Sequence, residues 1–183
     1  MRSSIAAVLS RYGDHVLLFA VLASAAALIG AHVSERFGGL APCPLCLDQR
    51  EVHWTAIIVA AGGWLASRVV KSSLAQVASL SVGAMIYAAG AALAGYHAGV
   101  EYGFWPGPPQ CASTAGPLPT GADIAAALSP GASQAYPSCE DAMWRFAGVS
   151  MAGYNALLSA GLFALLAWGA ALKRGGRPVG RNI

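Results

Sequence analysis

Four cysteines hold the chemical potential of this 183-residue sequence. Cys43 and Cys46 form a CxxC, Cys43-Pro44-Leu45-Cys46, which can close a small, reducible disulfide. Cys111 and Cys139 follow much later in the chain. Pro44 suits the first turn of a helix, where its missing N–H is no loss. Cys46 then sits at a helix N-terminus, where the dipole and the free N–H groups favour a thiolate. Arg50 lies four residues on, one turn below on the same face. It can stabilise that thiolate, and it can donate hydrogen bonds to a carbonyl ligand lying against the helix. The plain alternative is a static disulfide with Arg50 as an interfacial anchor. Haem attachment of the usual c type is excluded, because Leu47 stands where the motif needs His. A zinc site fits poorly, since only one pair has ligand spacing, and no metal is expected.

The elements that must position these residues are read from charge. The chain is 56% hydrophobic and only 10% charged, with a net charge of +3. Soluble domains carry about 25% charged residues. So apolar a composition excludes disorder, and eleven basic residues against eight acidic ones make no nucleic-acid surface. Uncharged runs cover Val16 to Ser34, Val52 to Ser67, Ser72 to Val100 and Phe146 to Leu172. A bilayer core needs roughly 20 apolar residues of helix. Three runs meet that directly. The second does so if its helix starts near Leu45 and Arg68 snorkels to the headgroups. The expectation is an all-α integral membrane protein, a single domain over 1–183 built as a four-helix bundle. Spans fall near 16–34, 45–68, 74–98 and 150–172, with exported loops near 35–51 and 101–145. A soluble bundle would show a polar face every turn, and these runs do not. A cleaved signal peptide in place of the first span would leave the topology of the remaining chain unchanged.

Four spans put both termini on one side. That side holds Arg2, Arg11, Arg68, Lys71, Lys173, Arg174, Arg177 and Arg181, eight of the eleven basic residues. The positive-inside rule makes it the cytoplasm. All four cysteines then lie in the exported loops, one pair in each, on the oxidising face that disulfide chemistry requires.

The second loop holds seven of the ten prolines and reads as irregular chain. A disulfide between Cys111 and Cys139 would close a large loop with few supports, and such a bond is expected to be accessible and to exchange readily. Within it, Asp123 to Leu128 could form a short helix on the membrane surface. Phe104, Trp105, Trp144 and Phe146 are placed to anchor at the aromatic belt. Gly90 and Ala94, and Ala156, Ala160 and Ala164, carry the spacing of close helix packing. Asn155 and Gln76 are candidate interhelical donors, although simple polar contact near a helix end is their plainer role. His97 lies near the exported end of the third span, where an anchor or a satisfied polar group is the ordinary reading. His15, His32 and His53 are assigned no chemistry.

Three stretches together resemble a known family. They are Pro42-Cys43-Pro44-Leu45-Cys46-Leu47-Asp48-Gln49-Arg50, the run from Tyr96-His97 through Glu101 to Trp105-Pro106-Gly107-Pro108, and Ala142-Met143-Trp144-Arg145-Phe146. With four spans and a Cys pair in each exported loop, they resemble the quinone-coupled disulfide oxidases of the DsbB type over nearly the whole chain. The resemblance implies a protein of the bacterial inner membrane with its cysteine loops in the periplasm. It would reoxidise a thioredoxin-fold thiol oxidase of the DsbA type and pass the electrons to ubiquinone or menaquinone from the bilayer. Cys111 would form the mixed disulfide with the partner, and Cys139 would be released and attack Cys43. Cys46 would then be freed to meet the quinone. Arg50 would hold the quinone and tune Cys46, with His97 close by. Two rivals stand beside this reading. A vitamin K epoxide reductase-like enzyme also couples CxxC to a quinone, but here the CxxC opens the second span and not the last. The other is a non-enzymatic membrane protein with structural disulfides.

Overall fold

The computed structural model describes residues 2–69, 72–111 and 137–175. Among them are four long helices: α1 (Arg2–Gly38), α2 (Pro44–Val69), α3 (Ser73–Glu101) and α4 (Met151–Gly175). A single 3-10 turn, Pro109–Cys111, and a two-stranded hairpin, β1 (Arg145–Phe146) and β2 (Val149–Ser150), lie between α3 and α4. Asp123 to Leu128 lies outside the described residues.

Each helix starts where the local chemistry allows it. Pro44 takes the first helical position of α2, and the carbonyl of Cys43 receives the amides of Cys46 and Leu47. The Ser72 hydroxyl caps α3 by accepting from the Ala75 amide. Gly103, at φ +71°, turns the chain out of α3. The hairpin turn Ala147-Gly148 has positive φ at both residues, the backbone that a two-residue hairpin loop of this kind demands.

The helices pack in cyclic order, each on its sequence neighbours, with α4 closing on α1; α3 and α4 share the most extensive contact. Leu17 and Ala20 of α1, Ala56 and Ala60 of α2, Leu80 and Tyr87 of α3, and Leu162 and Leu166 of α4 fill the centre. Glycines bring the backbones together. A Cβ on Gly90 would lie 2.7 Å from Val52 Cγ1, and one on Gly83 would lie 2.6 Å from Leu166 Cδ2. Ala94 is fully buried, but the α4 stripe behaves otherwise. Ala160 and Ala164 face outward, and Ser159, Leu162 and Leu166 form the packed face instead.

The outside is apolar. Phe19, Leu22, Ile29, Ile58, Met85 and Trp168 are all exposed. In water so continuous an apolar surface is a liability, whereas lipid is its natural solvent. Tyr12–Gly38, Leu74–Glu101 and Met151–Arg174 are long and apolar enough to cross a membrane. The helix α2 is long enough at 26 residues but carries Asp48, Arg50, Glu51 and Arg68 near its ends.

At the end away from the cysteines, Asp14 gathers the polar groups of three helices. It accepts hydrogen bonds from Ser67 Oγ at 2.6 Å and Gln76 Nε2 at 2.5 Å, and it pairs with Arg68 at 3.5 Å. Lys173 packs alongside against Gly13. Gln76 thus makes the interhelical bond that its position allowed.

Candidate functional site

The site begins at the first turn of α2. Cys43 stands just before the helix as its cap, and the Cys46 amide donates to Cys43 Sγ at 3.3 Å. Both are free thiols. The Cys43 thiol donates to Cys46 Sγ with the sulfurs 2.8 Å apart. Giving its hydrogen to Cys46, together with burial, pushes the Cys43 thiol well above the usual range. Of the two, Cys43 is therefore the one held protonated.

Cys111 and Cys139 are joined in a disulfide, with Cα atoms 5.1 Å apart. The expectation of an accessible bond is corrected here. Cys111 is 2% exposed and Cys139 0%. The bond sits in a small apolar cluster with Cys43, Leu45 and Val100, edged by Cys46 and Leu93. The physical reason is the turn Pro109–Cys111, which folds the start of the loop back onto α2 and the end of α3. Cys43 Sγ, Cys139 Sγ and a ring nitrogen of His97 all lie within 4.8 Å of one another. All four cysteines therefore meet in one place.

His97, on α3, is 2% exposed, which corrects the reading of an interfacial anchor and leaves that of a satisfied polar group. Its Nδ1 is 2.7 Å from Gln49 Nε2, and its Nε2 is 3.6 Å from Cys43 Sγ and 3.9 Å from Glu101 Oε1. Glu101 is buried and accepts from the Ser150 hydroxyl. The loop is held by aromatic contacts as well. Trp105 lies on Gly99, where a Cβ would come within 2.0 Å of the ring, and its indole N–H donates to the Tyr96 carbonyl.

A cavity of about 270 Å³ opens beside the cysteines between α1 and α4. Its walls are mostly apolar, with Ala27, Leu28 and Leu158 among them, and Cys46, Arg50 and His97 also line it. The Arg50 side chain is mostly buried and donates from Nη1 to Glu35 Oε2 at 2.6 Å. That pairing was not anticipated: Glu35, on α1, holds the guanidinium and shares its charge.

Four spanning-length helices, two cysteine pairs in contact and an apolar cavity at Cys46 form one constellation. A family model described as "Disulfide bond formation protein DsbB" matches residues 13–169. The chain belongs to the DsbB family. This DsbB-family chain is accordingly a multi-pass membrane protein and a disulfide oxidoreductase. No curated protein and no solved structure matches it at a significant level.

The structure brings together all six residues singled out in the sequence: Cys43, Cys46, Arg50, His97, Cys111 and Cys139. It also adds residues that were passed over. Gln49 and His53 are buried polar groups of α2, and His53 lines the cavity. Asn155 of α4 donates from Nδ2 to Gln49 Oε1 at 2.6 Å, and its Oδ1 is 2.8 Å from His53 Nε2. A signal for them existed. Cys46, Gln49 and His53 are spaced three and four apart, so they share one face of α2.

Proposed function

We propose that this protein carries electrons from a reduced thioredoxin-fold thiol oxidase of the DsbA type to a membrane quinone, ubiquinone or menaquinone. The observation that carries the reading is one of distance. Cys139 Sγ lies within 4.8 Å of Cys43 Sγ, and Cys46, the partner of Cys43, faces an apolar cavity.

Thiol exchange proceeds by attack of a thiolate on a disulfide sulfur. The partner's thiolate attacks Cys111 and forms the mixed disulfide, and Cys139 leaves as a thiolate. The partner's second thiol closes the partner's own disulfide and releases Cys111 as a thiol. Cys139 attacks Cys43 in the oxidised Cys43–Cys46 pair and displaces Cys46 as a thiolate. Cys111 then attacks Cys139 in the Cys43–Cys139 bond, the Cys111–Cys139 disulfide re-forms and Cys43 leaves as a thiol, so the α2 pair is left reduced, the arrangement of bonds seen here. Because Cys111 is buried, the partner reaches it only when the Pro109–Cys111 turn lifts away from Val100.

The residues present fit a quinone. The cavity is ring-sized and apolar, as an isoprenoid-linked head group requires, with a guanidinium at the end where a carbonyl oxygen needs a donor. A quinone supplies a two-electron, two-proton acceptor. Arg50 binds and orients it, Cys46 presents a sulfur at the helix N-terminus, and the apolar walls exclude water. The wider reading is a single domain over 1–183 with four spans, both termini in the cytoplasm of a bacterial cell and the cysteine loops in the periplasm. The eight basic residues of the other face support that orientation.

The test is reconstitution of the purified protein with a quinone and a reduced thioredoxin-fold oxidase. Quinone absorbance is expected to fall in step with partner oxidation. If the absorbance stays constant while the partner stays reduced, the reading fails.

A further inference from the structure

A line of buried polar side chains leads away from the cysteines through all four helices. In order it contains His97, Gln49, Asn155, His53, Ser24 and Tyr87. The direction of the bonds from Ser24 to His97 follows from one backbone atom. Gln49 has an amide nitrogen 3.1 Å from the Leu45 carbonyl, which only accepts. The group facing that oxygen must therefore be the –NH₂ of Gln49. The same nitrogen lies 2.7 Å from His97 Nδ1, so Nδ1 is the acceptor. The proton of the neutral ring then sits on Nε2, which faces Cys43 Sγ at 3.6 Å and Glu101 Oε1 at 3.9 Å, and the ring also hydrogen-bonds the backbone of Cys139.

The chain fixes itself in the other direction too. Gln49 Oε1 faces Asn155 Nδ2, which leaves Asn155 Oδ1 for His53 Nε2, a donor. His53 Nδ1 must accept from the Ser24 hydroxyl at 2.8 Å; Ser24 Oγ also lies 2.6 Å from the Tyr87 hydroxyl, which donates to the Ala20 carbonyl at 3.2 Å. From Ser24 to His97 each group donates toward the cysteines. A doubly protonated His97 would set an N–H against the Gln49 N–H. So long a buried chain in an apolar bundle is costly unless every member is satisfied. Here each link is made, and the aligned dipoles end at a sulfur.

We infer that the Leu45 carbonyl, Gln49, Asn155 and His53 form a positioning chain that locks the His97 proton on Nε2, making the ring a hydrogen-bond donor between the Cys43 sulfur and the Cys139 backbone, where the two cysteine pairs meet. Gln49, Asn155 and His53 act on the sulfur only through His97. Leu45 lies between the two cysteines, so the backbone of the CxxC itself sets the tautomer of the histidine beside it. In the reduced pair Cys43 keeps its hydrogen, so a fixed donor adds one hydrogen bond to its sulfur there, and it favours charge on Cys43 when that sulfur leaves during exchange. The inference deepens the proposed function in that it rests on Cys43–Cys46 being the working pair.

The test uses ¹⁵N-histidine-labelled full-length protein, reduced at the α2 pair, in a bilayer mimetic. His97 and His53 are each expected to hold a single neutral tautomer with the proton on Nε2. The exposed His15 and His32 are the internal controls and show exchange-averaged signals. Gln49→Glu replaces the donor by an acceptor and is expected to move the His97 proton to Nδ1. A native His97 protonated on Nδ1, or one unchanged by Gln49→Glu, overturns the inference. A second readout is the thiol–disulfide equilibrium of Cys43–Cys46 against glutathione. Gln49→Leu is expected to shift it about fivefold toward the disulfide, the scale of one net hydrogen bond to a neutral group. An equilibrium constant unchanged from the native protein also overturns it. Failure of quinone reduction in the native protein would remove the proposed function and leave the tautomer result standing, so the two are separable.

Discussion

The two ends of this protein both bury polar groups among apolar helices, and they do it differently. At the end away from the cysteines, one carboxylate, Asp14, collects Ser67, Gln76 and Arg68 around itself. The arrangement is closed: donors converge on a central acceptor. At the cysteine end, the groups run in series from Tyr87 to His97, and the series stops at Cys43 beside a cavity. A convergent cluster ties helices together. An aligned series delivers its polarity to one atom. Both satisfy the demand that buried polar atoms be paired, and only the second leaves a reactive group at its end.

The contrast can be broken most sharply at Cys46. Cys46→Ser is expected to abolish quinone reduction while the partner still forms its mixed disulfide at Cys111. Trapped complex on a non-reducing gel, beside quinone absorbance, reads both, and equal loss of the two would contradict the assigned order. The opposite end should respond in the opposite way. Asp14→Ala removes the acceptor shared by Ser67 and Gln76 and the anionic partner of Arg68, and is expected to cost about 3 kcal/mol of stability. Turnover of the folded fraction should be unchanged, so thermal unfolding and quinone assays together check it. Arg50→Ala is expected to raise the apparent KM for quinone about tenfold, on the scale of one charged hydrogen bond, with a smaller effect on unfolding. An unchanged KM would take Arg50 out of the site. The smallest effect is the order of alkylation. The reduced pair should react with iodoacetamide first at Cys46 at neutral pH. Cys43 gives its hydrogen to Cys46, so its ionisation is displaced upward and its labelling should rise only above the usual thiol range. Peptide mapping across pH checks this, and equal rates at neutral pH would contradict it.

Much of the fold was legible in the sequence, because lipid imposes a length and a charge rule on every span. The start of α2 was legible for a local reason: proline at the first helical position and a cysteine before it fix where the helix begins. The seam of α4 was not. Ala156, Ala160 and Ala164 have packing spacing, yet Ala160 and Ala164 face outward and the face with Ser159 and Leu162 is buried. In a helix that is apolar all round, spacing alone does not choose the inner face.

The sequence by itself determined that the chain crosses a membrane, which residues are candidates for chemistry, and that the CxxC opens a helix beside Arg50. Each of these depends on neighbours within a turn or on the composition of a run. Only the tertiary structure decided that Cys139 lies against Cys43, that Glu35 holds Arg50, and that His53 belongs to the site at all. Those facts depend on how α1, α3 and α4 rotate against α2. Rotation is set by side-chain packing across the whole bundle, including the close approach at Gly90 and Val52, and no local pattern encodes it.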